Sequence, residues 1–510
     1  MHIAEPDPSA PALDEFRRLR REGALTPDEA GRLAGQAAGL FREYYTKSHA
    51  YLPDAITLLA ELAAHPEPAL AQIGAARLFP ELVEWSADWF NPDYCRLYDR
   101  LFAQVIDVAR RLVRCRELNF TLHGFGLAEI DDFLARRKAQ LAPRPPINPA
   151  AERVKRILLL SRVTFGAEVA VTSVVIRRMR QLFPDAALIL FAAPAIAQLF
   201  AGEPAVQVRD AHYPRGGALL DRLNSWPALT QAIADALAGL DSDEYLIIDP
   251  DSRLTQLGLL PVTSDEHRYL FFESRSYGAG EADSAARISE LTARWLDERF
   301  EVPEGVAPAL PFVSLAPRHN ALRDALRAAL KSDGRPLVCM SFGVGGNDAK
   351  RIGEAFERDL LGALVRGRAR VLLVKGVGEE VERTQAHLKV MRARQVNIAE
   401  IRAADAKALP GASRLRRADV IAWEGELGAF SAVIAAADAY IGYDSGGSHI
   451  AAAQGVPVID IFADDNIPMV TTRWTPTGPA PVHVIEHYTA PSETLDRVMA
   501  VYQGLLGARL

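Results

Sequence analysis

The chain has 510 residues, 49% of them apolar and 24% charged, and a formal net charge of −7. Its length exceeds what one hydrophobic core fills and predicts two to four domains of an ordinary water-soluble protein. The acidic balance excludes a dedicated nucleic-acid binder, and an anionic partner would need a local basic patch.

The three cysteines, Cys95, Cys115 and Cys339, lie far apart and form no Cys-x-x-Cys pair. That pattern gives neither a disulfide framework nor a zinc site and suits a reducing compartment. The opening residues Met1-His-Ile-Ala-Glu-Pro-Asp-Pro8 carry no basic segment followed by an apolar one, so no signal peptide is expected. The most apolar stretch, 186–202, is interrupted by Pro194 and Gln198 and is short for a membrane span. It reads as a strand followed by a helix. The expected location is the cytoplasm.

Residues 1–141 read as a helical domain of unassigned role. Thr26-Pro27-Asp28-Glu29 is a helix start, with a capping hydroxyl, a proline at the first helical position and acids in the first turn. The runs 98–113 and 128–141 carry apolar residues at three- and four-residue spacing. Prolines at 143, 145, 146 and 149 then predict a stiff linker over 142–152.

Past the linker the texture alternates between short apolar runs and helical patterns. Runs at 156–161, 187–191 and 245–249 form one series. A second comprises 337–342, 371–375, 420–423, 439–443 and 458–462. Uninterrupted apolar strands between helices mean parallel sheets covered on both faces. The fold class expected is α/β, with two Rossmann-type domains, 153–330 and 331–490, facing a cleft. Residues 491–510 read as a closing helix.

The segment 439–462 is the most informative. A buried strand leads into the turn Asp444-Ser445-Gly446-Gly447-Ser448-His449, then a helix, then Gly455-Val-Pro457 and a second buried strand. Such a turn places backbone N–H groups at the positive end of a helix, a natural cradle for phosphate. His449 falls four residues after Ser445, on one face of the first helical turns. Glycine spacing alone fits close packing without a ligand equally well.

Other strand exits carry polar groups. Gly343-Val-Gly345-Gly346-Asn347-Asp348-Ala-Lys350-Arg351 permits close backbone approach, and Lys350 can reach a phosphate as a point charge, although the P-loop spacing is absent. Glu379 and Glu380 follow the strand at 371–375, where an acid can bind ribose hydroxyls or simply begin a helix. Asp249-Pro-Asp251 reads as turn chemistry in preference to a magnesium site. Arg253, Arg268 and Arg275 sit in the loops that follow.

The run 444–457 resembles the donor-site signature of glycosyltransferase family 9, the heptosyltransferase-like enzymes: Asp-Thr-Gly-x-x-His-x-x-Ala-Ala-x-Gly-x-Pro, with serine at 445 for threonine. The resemblance extends over roughly 153–490 and implies a GT-B-like fold. It implies that Lys350, Asp444, Ser445, Gly446, Gly447 and His449 bind the diphosphate of a nucleotide sugar, although the tryptophan usual after the Lys-Arg pair is Ile352 here. It assigns the donor nucleoside to Glu379 or Glu380. Residues 162–184 resemble the family's other signature, in whose register the aspartate base becomes Glu168 and the preceding glycine Ala167. Glu168 then either takes the acceptor proton or stabilises a helix start. Trp474 fits the family's aromatic-proline-glycine loop.

The resemblance thus implies an inverting, metal-independent transferase without a cofactor. Its donor is a nucleotide-diphosphate sugar, with an ADP-sugar favoured. The acceptor is a hydroxyl of a lipopolysaccharide-type or other surface glycan, or of a protein, and Arg253 and Arg275 are the candidates to hold it. No transmembrane segment is expected, and peripheral membrane association stays open. The alternatives are an epimerase or hydrolase of the same fold, a nucleotide-sugar-binding protein without transfer, and a scaffold dominated by the helical domain.

Overall fold

The computed structural model describes residues 7–147, 153–402, 407, 409, 411–463 and 469–507. The end of the predicted linker, 148–152, lies outside them, as do residues 1–6 of the opening segment and 508–510 of the closing helix. The fold class is the one expected, with two parallel-sheet Rossmann-like halves after an N-terminal helical region.

The strands of the first half are β1 (Arg156–Leu160), β2 (Ala187–Ala192), β3 (Val206–Asp210), β4 (Tyr245–Asp249) and β5 (Tyr269–Phe271). Those of the second are β6 (Leu337–Ser341), β7 (Arg370–Val374), β8 (Ile398–Arg402), β9 (Val420–Glu424), β10 (Ala439–Tyr443), β11 (Val458–Phe462) and β12 (Val482–Glu486). The apolar runs of the sequence reading correspond to β1, β2, β4, β6, β7, β9, β10 and β11. The reading passed over β3, β5, β8 and β12, which are the edge strands of the sheets. The reason is physical: β3, β8 and β12 are covered on fewer sides and carry polar residues such as Gln207, Glu400 and His483. Strand β5 has only three residues.

The chain forms two compact units. One joins Met1–Pro145 to Ala211–Ala279, the other Pro146–Asp210 to Gly280–Leu510. In the first, helices such as Pro27–Ser48, Pro53–Ala63, Pro68–Leu78 and Pro92–Arg110 each begin with proline at a position where its missing N–H costs nothing. The predicted start at Thr26 is a capping box: its Oγ1 accepts from Glu29 N at 3.3 Å, and the Glu29 carboxylate accepts from Thr26 N at 3.1 Å. Phe16, Phe41, Leu59, Leu101, Phe102 and Ile106 fill the bundle core, and Leu219, Leu223 and Trp226 from the later segment join it. The Trp226 indole donates to Pro261 O at 2.8 Å.

In the second unit β1, β2 and β3 pair in parallel. The larger sheet is parallel throughout, in the order β12-β11-β10-β6-β7-β9-β8. Strands β6, β7, β10 and β11 are buried along their whole length. Their carboxyl ends open onto the loops that carry the site, as open parallel sheets arrange it.

Candidate functional site

Strand β10 delivers Asp444 and Ser445 to the start of the helix Gly446–Ala453. Ser445 is extended, with φ −161° and ψ 175°, and no side chain caps the helix N-terminus. Two glycines there admit close neighbours. A Cβ on Gly446 would lie 2.9 Å from Phe165 Cβ and 3.1 Å from Gly166 N. One on Gly447 would lie 2.1 Å from Tyr440 Oη. Packing therefore accounts for Gly447 by itself. Gly446 does something further, since it lets the turn after β10 touch the turn after β1.

That contact is reciprocal. A Cβ on Gly166 would stand 3.0 Å from His449 Cδ2 and 3.4 Å from Gly446 Cα. Two signatures nearly 300 residues apart in sequence thus meet backbone to backbone within one compact unit. His449 is 4% exposed, and burial drives its pKa down to about 4 even though the Asp444 carboxylate pulls the other way. Trp474 stands edge-on to its ring at 6.1 Å. The loop after Trp474 lies so close to the helix that a Cβ on Gly478 would fall 1.8 Å from Ala452 O.

Lys350 reaches Asp444, donating from Nζ to Oδ2. The segment after it is pinned: Ile352 N donates to Tyr443 Oη at 3.2 Å. Arg351 is engaged elsewhere, bidentate on the fully buried Glu357 at 2.9 and 2.8 Å, and His387 meets the same carboxylate at 2.7 Å. Burial raises the pKa of Glu357, but the His387 and Arg351 hydrogen bonds outweigh it and leave the group lowered. The Lys-Arg pair therefore divides, with lysine at the site and arginine in the wall behind it.

The two acids after β7 also separate. Glu380 accepts from Val344 N and Val377 N, both at 3.1 Å, and ties the glycine loop to its own helix start. Glu379 is exposed.

Glu168 is completely buried, at the start of a π-helical turn, Glu168–Thr172. Its Oε1 accepts from Ser161 Oγ and from Val163 N, the latter at 2.7 Å. Its Oε2 has no hydrogen-bond partner among the described residues. Burial raises its pKa, with Ser161, Thr172 and then the Val163 N–H opposing. Helix-start stabilisation alone would leave the carboxylate in water.

The first unit holds the remaining candidates. Arg275 is 2% exposed, donates from Nε to Asp251 Oδ2 at 2.9 Å and lies 4.8 Å over the Tyr98 ring. Arg253 is partly exposed. Asp249 accepts from Ser252 N, Thr255 Oγ1 and Tyr269 Oη at 2.5–2.7 Å, a turn network of the expected kind.

Sequence reasoning missed Asp460. This carboxyl in the middle of β11 is fully buried, accepts from Ser448 Oγ at 2.7 Å, and is pushed well above the usual carboxylate range by burial and the Asp444 charge. A lone acid inside an otherwise apolar strand was the available signal.

Residues 335–498 match the model of glycosyltransferase family 9 (heptosyltransferase). No curated protein sequence matches the chain. Among solved structures, a family 9 glycosyl transferase from Veillonella parvula shares 14% identity, covering 71% of this chain and 99% of its own, with a TM-score of 0.50. The E. coli heptosyltransferase WaaC with ADP shares 17% identity over 69% of this chain and 99% of its own, at a TM-score of 0.45. The E. coli ADP-heptose lipopolysaccharide heptosyltransferase II shares 15%, over 70% and 100%, at 0.43. The Veillonella likeness is one of fold. Lys350 and the Asp444–His449 turn fall inside the region, residues 335–498, that is similar to glycosyltransferase family 9.

Proposed function

We propose that this chain is an inverting glycosyltransferase that needs no metal and moves a sugar from a nucleotide-diphosphate sugar to an acceptor hydroxyl. The observation that carries this reading is the Gly166–Gly446 contact, which holds the Glu168 turn against the uncapped helix after Asp444. In this scheme Ser445, the N–H groups of Gly446 and Gly447, and Lys350 take the diphosphate, with phosphate oxygens replacing Asp444 on the lysine. As the bond from sugar to phosphate breaks, the charge gathering on the leaving diphosphate meets these fixed positive groups, so they act most strongly in the transition state. The acceptor oxygen forms the new bond, and its proton passes to Glu168 through the carboxyl oxygen that Ser161 and Val163 leave unengaged. Glu379, rather than Glu380, binds the donor ribose. The acceptor is a surface glycan, lipopolysaccharide-type or protein hydroxyl, and the family resemblance favours an ADP-sugar donor, heptose or hexose-like. The enzyme works in the cytoplasm, peripherally where its acceptor is membrane-bound.

The complete burial of Glu168 favours one competing reading, a nucleotide-sugar-binding protein without transfer. Thermal-shift and calorimetric titration with a panel of nucleotide diphosphates and their sugars, repeated on Lys350→Ala, separates the outcomes. Selective binding by one nucleotide series, weakened in Lys350→Ala, with sugar transfer lost in Glu168→Gln, supports the transferase. Binding without transfer to any acceptor supports the competing reading, and silence across the panel removes both.

A further inference from the structure

A cavity of about 1280 Å3 lies in the helical part of the first unit, lined in part by the helices Pro53–Ala63 and Pro92–Arg110. Six arginines line it, and they divide by partner. Arg17 and Arg20 share Glu61 at 2.6 and 2.8 Å, and Arg111 pairs with Asp107 at 2.5 Å. The other three, Arg100, Arg110 and Arg114, form no ion pair among the described residues and bind only neutral groups. The remaining acids of the rim, Glu129 and Asp131, sit at the start of the helix Ile130–Leu141.

Arg110 is the informative one. It is 5% exposed, yet its guanidinium is held entirely by uncharged partners: Asn119 Oδ1 at 2.7 Å, Leu127 O at 2.8 Å, Ala128 O at 3.0 Å and His123 Nε2 at 3.2 Å. A buried charge without a contacting counter-charge is costly, so its position beside a cavity marks a place where an anion would be stabilised. Arg114 is exposed and donates to Ala64 O at 2.6 Å. Exposed Arg100 lies 3.8 Å over the Tyr51 ring, and that ring is fixed by its hydroxyl on Gln104 Oε1 at 2.7 Å. Stacking of this kind orients a guanidinium before any ligand arrives.

We propose that this cavity binds a phosphoryl group through Arg100, Arg110 and Arg114. Guanidiniums offer forked pairs of donors, and a phosphate has enough oxygens to serve several of them together. A carboxylate has two oxygens, and the two carboxylates already paired here, Glu61 and Asp107, engage the other arginines instead. Val113, on the rim and 72% exposed, gives the site an apolar lip for a phosphate carried on a lipid. The site is independent of the donor cradle in the second unit and does not rest on the transferase reading.

The test uses the full chain, with inorganic pyrophosphate for a free phosphate and phosphatidylcholine vesicles doped with phosphatidic acid for a headgroup. Titrations compare the unmodified protein, Lys350→Ala and the double variant Arg100→Gln/Arg114→Gln, whose exposed positions leave the fold intact. Expected is saturable binding of pyrophosphate, of the doped vesicles, or of both. It persists in Lys350→Ala, weakens at least about tenfold in the double variant, and fades as salt rises. Vesicle capture lost in the double variant assigns the headgroup source, and pyrophosphate binding alone assigns the free phosphate. Binding unchanged in the double variant, no binding of either probe, or capture of poly-glutamate in preference to both overturns the proposal. Nucleotide affinity that is intact in the double variant but lost in Lys350→Ala keeps the two sites distinguishable.

Discussion

The turn after β1 and the turn after β10 both lead a buried parallel strand into a helix, but they handle charge in opposite ways. After β1 the acid turns inward. Glu168 is fully buried, its Oε1 satisfied by Ser161 and Val163, and burial favours its neutral form. After β10 the acid faces a cation, with Asp444 meeting Lys350 and the helix N-terminus left uncapped. One turn therefore holds a buried carboxyl and the other a lysine beside a bare helix start. The local fold does not dictate this difference. It follows from which side chains the two turns carry and from what packs over them. The glycines at 166 and 446 are what the two turns share, and they bring the unlike halves together.

The strongest way to break the comparison is Glu168→Gln, which keeps the shape and removes the proton acceptor. Turnover is expected to fall about 10²–10⁴-fold, the range for loss of a general base, with nucleotide affinity unchanged in calorimetry. Full turnover in that variant places the base elsewhere. Stability gives an independent readout. The folded pKa of Glu168 lies above its unfolded value, so the folded state holds the proton more tightly and loses stability as pH rises through that interval. Denaturation curves of Glu168→Gln measured across pH should lack that loss.

His449 supplies the next effect, of opposite sign. Its folded pKa of about 4 lies below the ordinary 6.5. Its contribution to stability is therefore complete above about 6.5 and is lost as pH falls towards about 4. A gap of that size corresponds to roughly 3 kcal/mol. His449→Asn should flatten this part of the stability–pH profile in chemical denaturation, and an unchanged profile would mean that the ring is hydrated in solution.

How much of this was legible in sequence depends on the range of the interaction. Strands β10 and β11 are covered on both faces and read as unbroken apolar runs, whereas edge strands such as β8 mix Glu400 and Arg402 into the pattern and were passed over. The turn at 444–449 and the family it resembles were readable because their residues are contiguous. The engagement of Glu380 was not, because one of the N–H groups it accepts from belongs to Val344. Nor was the fate of Arg275, whose partner Asp251 lies 24 residues away. The arginine-lined cavity left no trace in the sequence, since its members run from Arg17 to Arg114 and only helix packing collects them.

The contact between the turns can be tested by adding single methyl groups. Gly447→Ala drives a Cβ to 2.1 Å from the buried Tyr440 hydroxyl, and should lose about 1–3 kcal/mol in denaturant titration as an overpacked site. Gly446→Ala meets Phe165 Cβ at 2.9 Å and Gly166 N at 3.1 Å, a smaller overlap but with atoms held by the backbone after β1. Alanine favours a helix over glycine by about 1 kcal/mol at both positions, so the smaller overlap means that Gly446→Ala should cost less stability than Gly447→Ala while still reducing turnover. Equal stability losses with unimpaired turnover in Gly446→Ala would mean that the approach of the two turns serves packing alone.

Lys350→Ala carries the smallest expected effect and sharpens the comparison most directly. Lys350 and Asp444 form a partly exposed pair, so its loss should change stability little. Its removal takes one cation from the diphosphate and leaves Asp444 facing the ligand uncompensated, so affinity for a nucleoside diphosphate should drop by about tenfold or more. Affinity for the nucleoside alone should hold, because no phosphate is present to feel the change. If both affinities fall together, Lys350 supports the fold of the glycine loop, and the positive character of the second turn rests on the helix end alone.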